Sequence, residues 1–170
     1  VMAFGSRELI SEPENFKYIQ KCYPNSNILL NSTSGEIIDT QVTDDTISLT
    51  AILFEKTIIK TAVIHIDTVK NSHEAGKKLA GEIDPVELKY VLVISDGQKV
   101  NGSELVLGLQ EHLPLGTIIT GGLAGDGARF QKTVVGLNEI PTEGIIVAIG
   151  FYGTALSVTY GCVGGWDSFG

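Results

Sequence analysis

Three short stretches carry the side chains and bare backbone that recognition of a small molecule requires. They are Ser32-Thr33-Ser34-Gly35-Glu36, Asp96-Gly97, and the run from Thr120 to Phe130, Thr-Gly-Gly-Leu-Ala-Gly-Asp-Gly-Ala-Arg-Phe. Glycine lets another group approach the main chain closely, so the amides of Gly35, Gly122 and Gly125 are placed to orient an anion in a backbone nest. Glu36, Asp96 or Asp126 would accept donors such as an ammonium, and Asp126 with Arg129 offers the two complementary charges that grip a zwitterion. The candidate ligand-binding set is therefore Ser32, Thr33, Ser34, Gly35, Glu36, Asp96, Gly97, Gly121, Gly122, Ala124, Gly125, Asp126 and Arg129. The competing reading of Asp126 and Arg129 is a solvated turn with a local ion pair.

Other chemistries fit less well. The third stretch lacks the Lys-Ser/Thr ending of a P-loop, and Phe130 to Val135 reads as a strand where a phosphate-binding loop needs a helix. A hydrolase would use a hydroxyl among Ser32, Thr33 and Ser34 with Asp96 or Asp126 as base, provided that the fold brings them together. His65, His73 and His112 each fall at an ordinary structural position, inside a strand, near a helix start and near a helix end. No His or Cys pair sits at metal-ligand spacing, so neither a metal nor a cofactor is expected. Catalytic residues are assigned to none of these positions.

The elements that must hold these stretches follow from periodicity. Three amphipathic helices are predicted over Glu12–Tyr23, Ser72–Ile83 and Gly102–Leu113. Each has capping spacing at its start, Ser11 with Glu14, Asn71 with Glu74 and Asn101 with Glu104. Their buried stripes are Phe16, Ile19 and Tyr23; Ala75, Leu79 and Ile83; and Leu105, Leu109 and Leu113. β-Branched or alternating runs predict strands at Val1–Gly5, Asn27–Asn31, Ile47–Phe54, Ile58–Ile66, Tyr90–Ser95, Thr117–Thr120, Thr133–Leu137, Ile145–Phe151 and Leu156–Gly161.

Written in order, these elements form a weak internal repeat, with halves at about 1–67 and 88–161 that each read β-α-β-β-β. Asn27–Phe54, with its Ser-Thr-Ser-Gly-Glu turn, aligns with Thr117–Phe151, with its Gly-Leu-Ala-Gly-Asp turn. A pseudo-twofold pairing of the halves would bring the two turns to one cleft. The expected fold is α+β, mixed β-sheets flanked by helices in αββα-type layers.

Composition bounds the partners. The 170 residues are 43% hydrophobic and 19% charged, which excludes disorder, and a net charge of -8 argues against binding a phosphate backbone. Gly5, Gly35, Gly76 and Gly81 are the only glycines before residue 97, so most of the 20 lie in the charge-poor second part. No apolar run has the roughly 18 residues that a membrane span requires. The two cysteines, Cys22 and Cys162, are far apart in sequence, and a reducing compartment is the default, with a disulfide between them unsupported. The start on Val1 and the Gly-rich finish read as a piece of a longer protein.

Four motifs in order resemble the FIST sensory domain family, specifically its N-terminal half, the FIST N domain. They are Ser-Thr-Ser-Gly-Glu-Ile at 32–37, Val-Leu-Val-Ile-Ser-Asp-Gly at 91–97, Gly-Gly-Leu-Ala-Gly-Asp-Gly-Ala-Arg-Phe at 121–130, and the Gly-Trp-x-x-Phe-Gly junction in the tail from Gly161 to Gly170. The resemblance spans nearly the whole chain. It implies a cytoplasmic signal-input module that binds small ligands such as amino acids or related organic acids, without an established reaction. It also implies as partners the C-terminal half of the same domain, beginning in the junction at 162–170, and signalling output domains, bacterial ones or a eukaryotic F-box. One departure stands out: where the family often has Cys before the Ser/Thr of the first turn, this chain has Asn31-Ser32. The expected function is non-catalytic sensing, with a hydrolase or an interaction scaffold as alternatives.

Overall fold

The computed structural model describes residues 1–161. The expected junction motif, with Cys162 and Trp166, lies outside the described residues. Ten strands run in chain order as β1 (Met2–Gly5), β2 (Leu29–Ser32), β3 (Glu36–Ile38), β4 (Gln41–Thr43), β5 (Ile47–Thr50), β6 (Ile58–His65), β7 (Leu88–Ser95), β8 (Ile118–Leu123), β9 (Val135–Leu137) and β10 (Ile145–Tyr152). Four helices are α1 (Arg7–Ser11), α2 (Pro13–Cys22), α3 (Ser72–Glu82) and α4 (Gly102–Gln110).

Two four-stranded mixed sheets form the centre, one ordered β5-β1-β2-β9 and the other β6-β10-β7-β8. β1 and β2 are parallel neighbours, as are β7 and β8, while β5 and β10 pair antiparallel with β1 and β7 respectively. The period-2 geometry of a strand sorts its side chains to two sides, and both sheets here bury both faces. Along β1–β2, Ala3 and Leu30 face Ile10 and Ile19 of the first helix pair, whereas Met2 and Leu29 face the other sheet. Along β7, Val91 and Val93 meet α3 and α4 while Leu92 and Ile94 turn to the sandwich interior. The result is a four-layer αββα arrangement, the α+β fold read from the sequence.

The helix stripes lie where periodicity puts them: Ala75, Leu79, Ile83, Leu105, Leu109 and Leu113 are all buried. Asn71 and Asn101 cap their helices, each side-chain oxygen accepting from a backbone N–H three residues on, at 2.9 and 3.2 Å. The Ser11–Glu14 box does not form. Ser11 is the last residue of α1, a helix absent from the sequence reading, and Glu12 precedes α2 with no side-chain cap.

Three further differences have physical causes. Ile47–Phe54 is a strand only to Thr50, because pairing with β1 ends at Met2. Leu156–Gly161 finds no strand partner among the described residues and stays irregular. Gly121 and Gly122, read as part of a turn, are strand residues of β8, and a side chain at Gly121 would collide with the carbonyl oxygen of Val93 on β7.

Candidate functional site

The parallel strands β1, β2, β7 and β8 all deliver their C-terminal ends to one end of the sandwich, the position at which open α/β sheets place ligands. The chain leaving β8 crosses there from one sheet to the other. Ala124 N–H donates to Ser95 O at 2.8 Å, Gly125 N–H to Ser32 O at 2.8 Å, and Gly127 N–H to Thr33 O at 3.2 Å. The turn after β2 and the turn after β8 thus touch, and Ser34 Oγ reaches Gly127 O at 3.4 Å.

The first turn is shaped by Gly35, whose φ of 132° disfavours any side chain. Buried Glu36 braces it, accepting from Thr33 Oγ1 at 2.6 Å and from Thr46 N and Oγ1 at 3.2 and 2.9 Å. Ser32 is fully buried and its Oγ accepts from Val134 N–H at 2.9 Å. Glu36 and Ser32 are therefore holding groups; Ser32 faces inward, while Glu36 also borders the space between the two turns.

Asp126 has the same character. Its carboxylate accepts from Arg7 Nη1 at 3.1 Å and from Arg129 Nε, Gln131 N–H and Lys132 N–H at 3.0 Å each. Burial opposes its ionisation, but the hydrogen bonds from Lys132, Gln131 and Arg129 and the charge of Arg7 outweigh that and hold its pKa below the ordinary aspartate value. Arg129 Nη2 also meets Glu8 at 3.0 Å, so the guanidinium is paired twice within the protein. The expected zwitterion grip by Asp126 and Arg129 is replaced by a structural clamp between α1 and the loop after β8.

Asp96 is fully buried, and both its oxygens are engaged. Oδ1 accepts from Gln98 N–H, Lys99 N–H and Thr133 Oγ1 at 2.7, 2.9 and 2.8 Å, and Oδ2 from Gly144 N–H at 2.6 Å. Desolvation raises its pKa less than these donors, Gly144 and Lys99 foremost, lower it. Gly97 donates to Thr133 Oγ1 and lies against the Ala124 carbonyl, where a Cβ would have no room. Asp96 and Gly97 serve the junction between the sheets.

Not every expected member shares one recess. Gly121 and Gly122 line a separate hollow with Leu105 and Val106 of α4, and Ala124 is buried in the sandwich. The anion nest is also absent at Gly125, because its amide and that of Gly127 already donate to Ser32 and Thr33 carbonyls.

What remains is a recess of about 110 Å³ between the two turns, walled by Thr33, Ser34 and Gly35 on one side and by Gly127, Ala128 and Arg129 on the other. Glu36, Ser6, Asp44 and Asp45 complete it, and of these only Glu36 stood out in the sequence. Ser6 directly follows Gly5 at the end of β1, as Thr33 follows Ser32 at the end of β2, a parallel that pairing alone makes visible. Asp44-Asp45 sits in the turn between β4 and β5, just after the β3–β4 hairpin, whose apolar residues Ile37, Ile38 and Val42 are exposed and give no burial period.

Among the described residues, no group of three or more His, Cys, Asp or Glu is arranged to hold a metal ion, and no helix is long and apolar enough to cross a membrane. The family model of the FIST N domain matches residues 1–170. No curated protein and no solved structure matches the chain.

Proposed function

The chain belongs to the FIST N domain family, a family of sensory domains, and from that premise we propose that it is a non-catalytic input module which binds a small polar metabolite in the recess between its two turns. Amino acids and organic acids are the first classes to screen. The observation that carries this reading is the meeting of Thr33–Gly35 with Gly127–Arg129 around a concavity. A binder of this kind signals only by preferring one conformation, and here the guest would press on a segment hydrogen-bonded to both sheets. The remainder of the domain and an output domain in the cytoplasm would receive that change.

A hydrolytic alternative has less support. Thr33 Oγ1 already donates to Glu36, Ser32 Oγ is buried away from the recess as the acceptor for Val134, and no histidine among the described residues lines the recess. Thermal-shift and calorimetric screening of a metabolite panel tests the proposal. A saturable rise in melting temperature, with the compound recovered unchanged, is the expected result. Recovery of a cleaved product would transfer the case to the hydrolase, and silence across the panel would remove the sensing reading.

A further inference from the structure

Donors and acceptors are unevenly available around the recess. The amides of Gly125 and Gly127 donate to carbonyls of the opposite turn, Thr33 Oγ1 donates to Glu36, and Ser34 Oγ donates to Gly127 O. The one cation in the wall, Arg129, is compensated by Asp126 and Glu8. Among the side chains of the wall, oxygen acceptors outnumber free donors, of which the Ser6 hydroxyl is one.

The charge balance points the same way. Arg7 and Arg129 together offset Asp126 and Glu8, but Asp44 and Asp45 have no cationic or hydrogen-bonding side-chain partner among the described residues. A carboxylate oxygen of Asp44 lies 3.8 Å from where a Cβ on Gly35 would be, so this acid stands over the turn itself. An acidic pair at a surface can be mere solubility, and an independent feature separates that case from this one. Ser6, only 7% exposed, lines the same recess, and its Oγ has no hydrogen-bond partner. A buried hydroxyl left unsatisfied is destabilising, and a bound polar group would relieve it.

Building on the reading of this recess as the ligand site, we propose that its guest is a small amine, held by its ammonium between Asp44, Asp45 and the hydroxyls of Ser6 and Ser34. An ammonium has three donors and no acceptor, which matches a wall that presents acceptors and negative charge. A free dicarboxylate would meet two uncompensated acids and few available donors. Basic amino acids and short diamines are therefore favoured over organic acids.

Titration calorimetry with 1,4-diaminobutane, lysine, glutarate and calcium chloride, on the unaltered protein and on the Asp44→Asn/Asp45→Asn double variant, tests this. Saturable binding of 1,4-diaminobutane or lysine, weakened at least about 10-fold in the double variant and by added salt, is expected. Both acids are exposed, so the variant should fold. Ser6→Ala gives a second readout: amine affinity should fall while thermal stability holds or rises, because an unpartnered hydroxyl is removed. Glutarate binding without amine binding would overturn the charge assignment and leave the sensing reading standing. Calcium alone binding at the acidic pair would overturn the amine as guest. No binding by any of the four would also overturn it, and only silence across the wider metabolite panel would remove the sensing reading with it.

Discussion

Asp96 and Asp126 show how residue identity can be legible while its role is not. An acid after a strand, next to glycine, has the same sequence signature whether it faces a ligand or the interior. Here the two carboxylates are fully enclosed and collect four donors each, three of them backbone amides for Asp96 and two for Asp126. Both have lowered pKa values, so they hold fewer protons folded than unfolded near the ordinary value of 3.8. Their stabilisation is complete above that range and is lost as the pH falls through it towards the lower folded values. Melting temperature followed from pH 7 to pH 2 should therefore drop steeply below about pH 4, with a shallower acid slope in Asp96→Asn and Asp126→Asn. Asp126→Ala leaves Arg7, with a side chain 20% exposed, beside an empty carboxylate site, and should cost on the order of 3 kcal/mol in urea unfolding. The more exposed Arg129 regains water and adds less.

At the scale of elements, signals that rest on local chemistry were readable and those that rest on contact between distant segments were not. Asn71 and Asn101 announce α3 and α4 because a cap is a bond between residues three apart. Gly121 and Gly122 look like a turn in sequence, and only the neighbouring carbonyl of Val93 explains why the strand has glycine at 121. The pair α3–α4 gives a sharp test of the same distinction. A Cβ at Gly76 would come within 2.2 Å of Leu105 O and one at Gly108 within 2.1 Å of His73 O, so the two backbones cross at glycine contacts. Gly76→Ala and Gly108→Ala should each lower the urea midpoint by the equivalent of about 1–3 kcal/mol or more, despite alanine's higher helix propensity. Gly81→Ala, in the same α3 with no atom within 4 Å of its Cβ, should instead gain about 0.5–1 kcal/mol.

Over the whole molecule, the alternation of buried residues was enough to read an αββα stack, because each central strand has one apolar set for the helices and another for the opposite sheet. The end at which the recess lies was harder to read, since it depends on strand direction. Only pairing within each sheet, with the contacts of the loop after β8 to Ser95 and Ser32, reveals that β1, β2, β7 and β8 end on the same side. The loop after β8 unites these ends, and its amides should behave as core. Hydrogen exchange at Gly125, Gly127 and Val134 is expected to be as slow as in β10, although glycine-rich loops usually exchange fast. Gly125→Val, with a Cβ 2.5 Å from Ser34 Oγ, should wedge the turns apart and abolish the ligand-dependent rise in melting temperature.

The crossing at Ala124–Gly127 gives this architecture a mechanical character. Gly127 belongs both to the wall of the recess and to the crossing that rivets the two β-layers, so a guest that displaced this wall would also apply shear to the layers. Occupancy and deformation would then be one coordinate. A sensor built this way needs no relay of side chains to carry its message, because the lever begins where the guest sits.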